Sequence, residues 1–292
     1  MAWAPLGWAF ELLSHFRFQA LAVCLILAAA LGTARAFRPA LGFFAAALVH
    51  AAVLLPWWMP SPQTPAAVPS PALRLTLLNL LVNNPNAAAV ERHLRQENPD
   101  VLVLLEFTPA WRHSLESLRH TYPHRIEDAR AGTFGAGIWS RVPFTQADTV
   151  HHASTSIPAL RASFSLPQPW TLYAAHPVPP VTPASAQLRD SQIRDLAAWM
   201  RPGFPPVVLA ADLNTTPWSP IYRELIRRTG LADSTRSRGW QPTWFGAGLA
   251  AALPIDHLLA RPPLRLHGLR IGPDVGSDHR SVSALLVFPP PG

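Results

Sequence analysis

The sequence contains no lysine: all 24 of its basic residues are arginine. Every fixed positive side chain is therefore a guanidinium, charged at any physiological pH. Cysteine is nearly absent as well. The single Cys24 excludes an internal disulfide and a metal site built from several thiolates, and it leaves the redox compartment unread. Charge of either sign is scarce in the first 60 residues, where Glu11 stands against Arg17, Arg35 and Arg38. No internal repeat is visible. From Leu73 onward 21 arginines face 16 acidic residues. That small, dispersed excess suits an anionic substrate but does not mark a nucleic-acid binder, and a coding bias toward Arg, Ala and Pro would also produce it.

In place of charge, the N-terminus has apolar length. Residues 18–34 are interrupted only by Gln19, and residues 40–58 only by His50. Each run approaches the ~20 residues that cross the hydrocarbon core of a bilayer. Trp57 and Trp58 close the second run where an aromatic interface belt would lie. The pattern predicts a membrane anchor over residues 1–59, a transmembrane helical hairpin (about 18–34 and 40–58) turning at residues 35–39. Two other readings fit the same letters. Residues 1–36 could be a signal peptide, since Ala34-Arg35-Ala36 resembles a small-residue cleavage site. The two runs could also be buried core helices. Arg35 and Arg38 in the turn assign it to the cytoplasm by the positive-inside rule, which puts the following domain on the extracytoplasmic side of the cell membrane. Residues 60–72 hold Pro60, Pro62, Pro65, Pro69 and Pro71 and predict an extended linker.

A domain over residues 73–292 follows. Residues 73–81 (LRLTLLNLL) read as a strand. Asn86 is placed to cap a helix running to Glu97, with Val90 and Leu94 on its inner face, and Asn98-Pro99 ends it. Residues 101–105 (VLVLL), bounded by Asp100 and Glu106, read as a buried strand. The unit is β-α-β, so the two strands should be parallel neighbours whose carboxyl ends share one side. Asn79 and Glu106 then converge although they are 27 positions apart. Further strands are predicted at 137–140, 161–165, 170–175, 207–211, 255–260 and 283–288, with helices at 183–200 and 219–229. Many strands and few helices predict an α/β sandwich of mixed sheets with helices outside.

Ionisable residues sit directly at the ends of these strands, where α/β active sites collect: Asn79, Glu106, His176, Asp212 and Asn214, Asp256-His257, and Asp278-His279. His151 and His152 read as surface, and His257 could face either side of its strand. In order, the segments are LLN at Asn79, PDVLVLLE at Glu106, GAGIWSRVPF at 135–144, AAHPVPP at His176, AADLNTTPWS at Asp212 and Asn214, PIDHLLA at Asp256, and GSDHRSV at 276–282. This series resembles the endonuclease/exonuclease/phosphatase superfamily over nearly all of residues 73–288. The resemblance implies a four-layered α/β sandwich, two packed mixed β-sheets flanked by helices, with the active site at one end. It implies a Mg²⁺ or Mn²⁺ ion bound by Glu106, with Asn79 helping to hold metal or phosphate and Asp278 as a second carboxylate on the metal side. Asp212 and Asn214 would orient the attacking water, His279 would be the general base oriented by Asp256, and His176 would protonate the leaving group.

One position departs from the pattern. DNA-repair members carry an acidic residue two positions after the first asparagine, and here that position is Leu81, which argues against a repair-type abasic-site nuclease. Trp218 and Trp244, in or beside the aromatic segment WQPTWF and the loop after Asn214, are candidate substrate contacts. The expected activity is metal-dependent hydrolysis of an anionic phosphate ester, with nucleic acid or a lipid headgroup as substrate and no protein partner. The alternatives are a lipid phosphodiesterase of the sphingomyelinase type, a phosphomonoesterase, or an inactive membrane-tethered binding domain. Retention of Glu106, Asp212, Asn214, Asp256 and His279 speaks against the last.

Overall fold

A computed structural model describes residues 4–59, 71–152, 155–200, 206–246 and 248–290. The expected proline-rich linker lies almost wholly outside these residues. Three helices come first: α1 (Ala4–Ser14), α2 (Arg17–Thr33) and α3 (Phe37–Leu54). Next, β1 (Ala72–Asn79), α4 (Ala87–Glu97) and β2 (Val101–Leu105) form the expected parallel unit, with Leu75 opposite Val101 and Asn79 opposite Leu105. α5 (Pro109–Ser114), β3 (His124–Asp128), β4 (Ala136–Ser140), β5 (Phe144–His151), β6 (Pro158–Phe164) and β7 (Trp170–Ala175) follow. α6 (Pro183–Trp199) then crosses to β8 (Val207–Asp212). The chain ends with α7 (Pro220–Thr229), β9 (Ala232–Asp233), β10 (Asp256–Ala260), β11 (Arg265–Ile271) and β12 (Val282–Val287).

Among the described residues the strands form two mixed sheets, ordered β11-β12-β1-β2-β4-β3 and β5-β6-β7-β8-β10-β9. Each sheet is built round one parallel pair, β1–β2 and β7–β8, because each pair is joined by a crossover helix. Leu77, Val103, Leu172 and Val208 belong to the core between the sheets. Leu78, Leu102 and Leu104 pack outward with Val90 and Leu94 of α4 and Trp111 of α5. Tyr173, Leu209 and Ala211 do the same with Ile193 and Leu196 of α6 and Leu225 of α7. Central strands are thus buried on both faces, which is why they read as continuous apolar runs.

The strands not anticipated from sequence, β3, β5, β9 and β11, are the four edges. An edge strand pairs on one side only and keeps partly exposed residues, as β5 does with Thr145, Gln146 and Ala147, so it shows no apolar run. The helix boundaries held with one change of chemistry. Asn86 stands at the N-cap of α4, but its side chain makes no capping bond. Its own N–H is instead taken by the Asn84 side chain at 2.9 Å.

The N-terminal helices differ from expectation in detail. α1 is a separate helix, bent 79° from α2. The turn is tighter than residues 35–39: α3 begins at Phe37 and takes Arg38 and Pro39 into its first turn, where a missing N–H breaks no helical bond. The stretch Phe37–Trp57, 21 residues, is long and apolar enough to cross a membrane, whereas α2 reaches that standard only together with α1. α2 has no buried residue and α3 only Ala47 and Leu54, so they are not core helices of this fold. Their base nevertheless packs on the sandwich, with Leu54 and Trp57 against Trp218.

Gly135 illustrates how tightly the strand ends meet. A Cβ there would lie 2.1 Å from the backbone oxygen of Phe107, the residue after Glu106. The Gly135→Ala variant is expected to lose about 1–3 kcal/mol of stability through backbone displacement. Urea denaturation against the parent protein measures the loss, and an unchanged midpoint would refute the crowding.

Candidate active site

Two strand ends from each sheet meet at one end of the sandwich. In the first sheet, Asn79 closes β1 and Glu106 follows β2, and both are buried. The chain reverses sharply after each. Leu81 (φ 59°) and Glu106 (φ 55°) occupy the left-handed region, a costly conformation for such side chains that the surrounding bonds must hold. The Leu81 N–H donates to Asn79 Oδ1 at 3.1 Å and the Val82 N–H to Glu106 Oε2 at 2.8 Å. Asn79 Nδ2 donates to Glu106 Oε1 at 3.3 Å and, across the seam, to Asp212 Oδ2 at 3.2 Å.

In the second sheet, Asp212 ends β8 and Asp256 begins the antiparallel β10 directly opposite. Asn214 (φ 49°) donates its N–H to Asp212 Oδ1 at 3.0 Å and its side-chain amide to the carbonyl of Pro177 at 3.0 Å. His279, just before β12, crosses the seam. Its Nδ1 meets Asp256 Oδ2 at 2.8 Å, and its Nε2 lies 3.6 Å from Asp212 Oδ2. A carboxylate only accepts, so Nδ1 carries the proton. His176, directly after β7, donates from Nδ1 to the Thr133 carbonyl at 3.1 Å and turns Nε2 to Asp212 Oδ2 at 3.3 Å. Asp212 Oδ2 is therefore the point on which Asn79, His176 and His279 converge.

Burial sets the electrostatics. Desolvation alone would push the His279 pKa down, but the charges of Asp256 and Asp212, with the hydrogen bond donated to Asp256, raise it to about 10. Asp212 is moved up by its own burial and by the charge of Asp256, against the pull of His176, His279 and the Asn214 N–H. Asp212, Asp256 and His279 each present a ligand atom within 4.8 Å of the others, a cluster that could hold a cation. Glu106 and Asp212 are buried carboxylates sharing one neutral amide, and among the described residues no arginine bonds either. Glu106 in particular has no cationic partner among the described residues, and the hard oxygens of the two carboxylates suit a divalent cation of the Mg²⁺ or Mn²⁺ kind.

The remaining candidates fall in three places. Asp278 lies at the rim, its Oδ2 accepting from Trp244 Nε1 at 2.9 Å, and among the described residues no hydrogen bond joins it to Glu106 or Asn79. Trp244 is half-buried and holds that carboxylate while pairing its backbone with Leu253 and His279. Trp218 does not face substrate. It is 2% exposed, with its ring against Trp57 and Phe18 and its Nε1 donating to Ser14 O at 2.7 Å. A ring covered by the N-terminal helices has no free face for stacking. His152 is not a surface residue either, since it is buried against Trp199 and 3.5 Å from Asp195. His257 turns away from the site to the Thr215 carbonyl at 2.9 Å and to Tyr222.

Sequence reasoning missed two positioning hydroxyls. Ser277 Oγ donates to the Asn79 carbonyl at 2.8 Å and accepts the His279 N–H at 3.0 Å, so it locks the two strand ends together. Thr243 Oγ1 accepts the Asp256 N–H at 3.1 Å. Ser277 is adjacent to a recognised pair, but its bond to Asn79 joins residues distant in sequence and leaves no local trace.

The His279–Asp256 pair has a pH signature in the metal-free protein. A histidine raised on folding contributes stability that is full below its free value of 6.5 and is lost as pH rises through about 10. Chemical denaturation at pH 7 and pH 10 should show this alkaline loss, and Asp256→Asn should remove it. An equal loss in the variant would assign the effect elsewhere.

Comparison with known proteins agrees with this geometry. The family model described as endonuclease/exonuclease/phosphatase family matches residues 77–279. TDP2 of D. rerio, solved in complex with a single-strand DNA product, aligns with a TM-score of 0.61 at 20% identity over 75% of this chain and 100% of that one. An endonuclease/exonuclease/phosphatase from Beutenbergia cavernae aligns with a TM-score of 0.58 at 21% identity, over 74% of this chain and 72% of that one. SmcL gives 0.57 at 14% identity over 75% and 99%. At these identities the structures share the fold. No curated protein matched the sequence. The match over residues 77–279, which spans every strand end described above, shows that this chain belongs to the endonuclease/exonuclease/phosphatase family.

Proposed function

We propose that this protein is a metal-dependent phosphodiester hydrolase that acts on nucleic acid and is attached to the cell membrane by its N-terminal helices. The observation that carries the reading is the convergence of Asn79, His176 and His279 on Asp212 Oδ2, beside Glu106 and with Asp256 behind His279. In the proposed reaction, Asp212 and Asn214 orient a water whose oxygen attacks phosphorus. His279 Nε2 takes the water's proton while its Nδ1–H stays on Asp256. The phosphorus–oxygen bond to the leaving group breaks with its electron pair on oxygen, and His176 protonates that oxygen. A divalent cation, Mg²⁺ or Mn²⁺, would polarise the phosphate and offset charge on the leaving oxygen. Glu106 and Asp212 would hold it through their carboxylate oxygens, with Asn79 positioning both, whereas Asp278, tied to Trp244, would contribute only its charge.

A second assignment of the proton is favoured by the raised pKa of His279. A histidine protonated at neutral pH would clamp the phosphate as a cation, and Asp212, itself moved up by burial, would take the proton from water. The two assignments differ in sign: kcat/KM rises with pH through the His279 ionisation if histidine is the base, and falls through it if histidine is the clamp.

The membrane part of the proposal is supported by the apolar stretch Phe37–Trp57 and by the exposed Val23, Ile26, Leu41, Leu48 and Val49 on α2 and α3. Lipid would cover these faces. Arg35 between the helices and Arg38 in the first turn of α3 would lie in the cytoplasm and the catalytic domain outside it. A cleaved signal sequence would also be apolar, and the N-terminal sequence of the mature protein separates the two. The nucleic-acid part is supported by the likeness to TDP2 crystallised with a single-strand DNA product.

Turnover of single-stranded DNA, phospholipid vesicles, a small phosphodiester and a phosphomonoester, with Mg²⁺, Mn²⁺ or chelator, tests the whole. DNA and the small diester should be hydrolysed and chelator should abolish it. Glu106→Ala and His279→Ala should each lower kcat/KM by about 100-fold or more. Parent-like rates in both variants would overturn the mechanism, and turnover confined to vesicles would reassign the substrate.

A further inference from the structure

The N-terminal helices dock on the end of the sandwich that carries the site. Asp212 and Asp256 are register partners, so the segment after β8 and the segment before β10 lie at that same end. The loop after β7 joins them, since β7 runs parallel to β8. Each of these segments is held from the N-terminus. Trp8 Nε1 donates to the Pro180 carbonyl at 2.8 Å, Trp218 Nε1 donates to the Ser14 carbonyl at 2.7 Å, and Gln19 Nε2 donates to the Ala252 carbonyl at 2.9 Å. His15 Nδ1 meets Thr216 Oγ1 at 2.9 Å.

The contact that reaches deepest runs through Arg189 of α6, which is 1% exposed. Its guanidinium donates from Nη1 to the carbonyl of Asn214 at 3.0 Å and from Nη2 to Glu11 Oε1 of α1 at 2.9 Å. Its Nε donates to Asp190 Oδ1 at 2.9 Å. Glu11 also lies 3.2 Å from His15 Nε2, so α1 and the turn that follows it contact the loop together. A buried guanidinium needs its counter-charges, and here one of the two comes from outside the sandwich. Asn214 meanwhile holds a left-handed backbone whose carbonyl is fixed by Arg189, whose N–H is fixed by Asp212 and whose side-chain amide is fixed by Pro177.

We infer that α1 is part of the catalytic apparatus: Glu11, acting through Arg189, is a positioning residue for Asn214. The N-terminal segment is then more than an anchor, because seating α1 sets the loop that orients the water. The kinetic side of this inference rests on the phosphodiesterase reading above, whereas its structural side does not.

The test uses the full-length protein in detergent, with Glu11→Gln as the near-isosteric variant, Glu11→Asp as the conservative one, and Glu91→Gln, which breaks the Glu91–Arg95 pair of α4, as control. Hydrogen exchange of the peptide covering residues 212–218 reports the loop without reference to activity. In Glu11→Gln this peptide should exchange faster while β1, β2 and β12 keep their protection. With a small phosphodiester and Mn²⁺, kcat should fall about tenfold with KM little changed, as expected for a misplaced orienting group. Glu11→Asp should recover part of both effects, and Glu91→Gln should show neither. Unchanged exchange in Glu11→Gln overturns the inference whatever the activity, and so does faster exchange with parent kcat. Faster exchange in a protein whose parent hydrolyses no phosphodiester overturns the phosphodiesterase reading and leaves the positioning of the loop standing.

Discussion

The hydrogen bond between His279 and Asp256 crosses from one sheet to the other. His279 precedes β12 of the first sheet, and Asp256 opens β10 of the second. The bond from Asn79 to Asp212 crosses the same seam in the same sense, with the donor again on the first sheet. Elsewhere the sheets meet through apolar side chains, which are not directional and would tolerate a small slide. A charged pair at 2.8 Å does not, since buried ions that lose their partner are strongly penalised. The polar seam therefore fixes how the two halves of the sandwich sit against each other at the end where chemistry is expected.

Holding so many ionisable groups out of water is unfavourable by itself, and the structure offsets it locally. Each carboxylate oxygen that faces the backbone receives an N–H: Val82 serves Glu106, and Asn214 serves Asp212. To aim those N–H groups the chain adopts left-handed turns at Leu81, Glu106 and Asn214, each directly at or after a strand end. Such conformations concentrate at functional sites because the surroundings, not the residue, decide them. Gly135 belongs to the same design: without a side chain, it lets the backbone after Glu106 pass close enough for Phe107 to donate to its carbonyl at 3.0 Å.

The N-terminal helices present two kinds of surface. Their outer faces carry exposed Ile26, Leu41 and Leu48, while their base presents polar groups, Glu11, His15 and Gln19, to the loops of the sandwich. Trp218, Trp57 and Phe18 fill the joint between the two parts, with Trp240 stacked on Phe18. The aromatic residues near the site thus divide by contact: Trp244 serves the site through Asp278, and Trp218 and Trp240 serve the dock.

The sequence by itself determined the central strands, the parallel pair β1–β2 and its convergence of Asn79 with Glu106, because a strand buried on both faces must be apolar and a β-α-β unit sets its own direction. It singled out Asn79, Glu106, His176, Asp212, Asp256 and His279, which the fold brings together, because a polar side chain abutting an apolar strand end is conspicuous in one dimension. It did not determine the edge strands, whose half-exposed residues carry no distinct period, nor the contacts of Ser277 with Asn79 and of Thr243 with Asp256, which the folding of separate segments creates. Trp218 and His152 were misplaced because exposure is a property of what packs on a residue, and the N-terminal helices and Trp199 come from elsewhere in the sequence. The role of Glu11 is the plainest case. A lone acid in an apolar stretch has no local partner, and only the tertiary structure brings it to Arg189 and so to the carbonyl of Asn214.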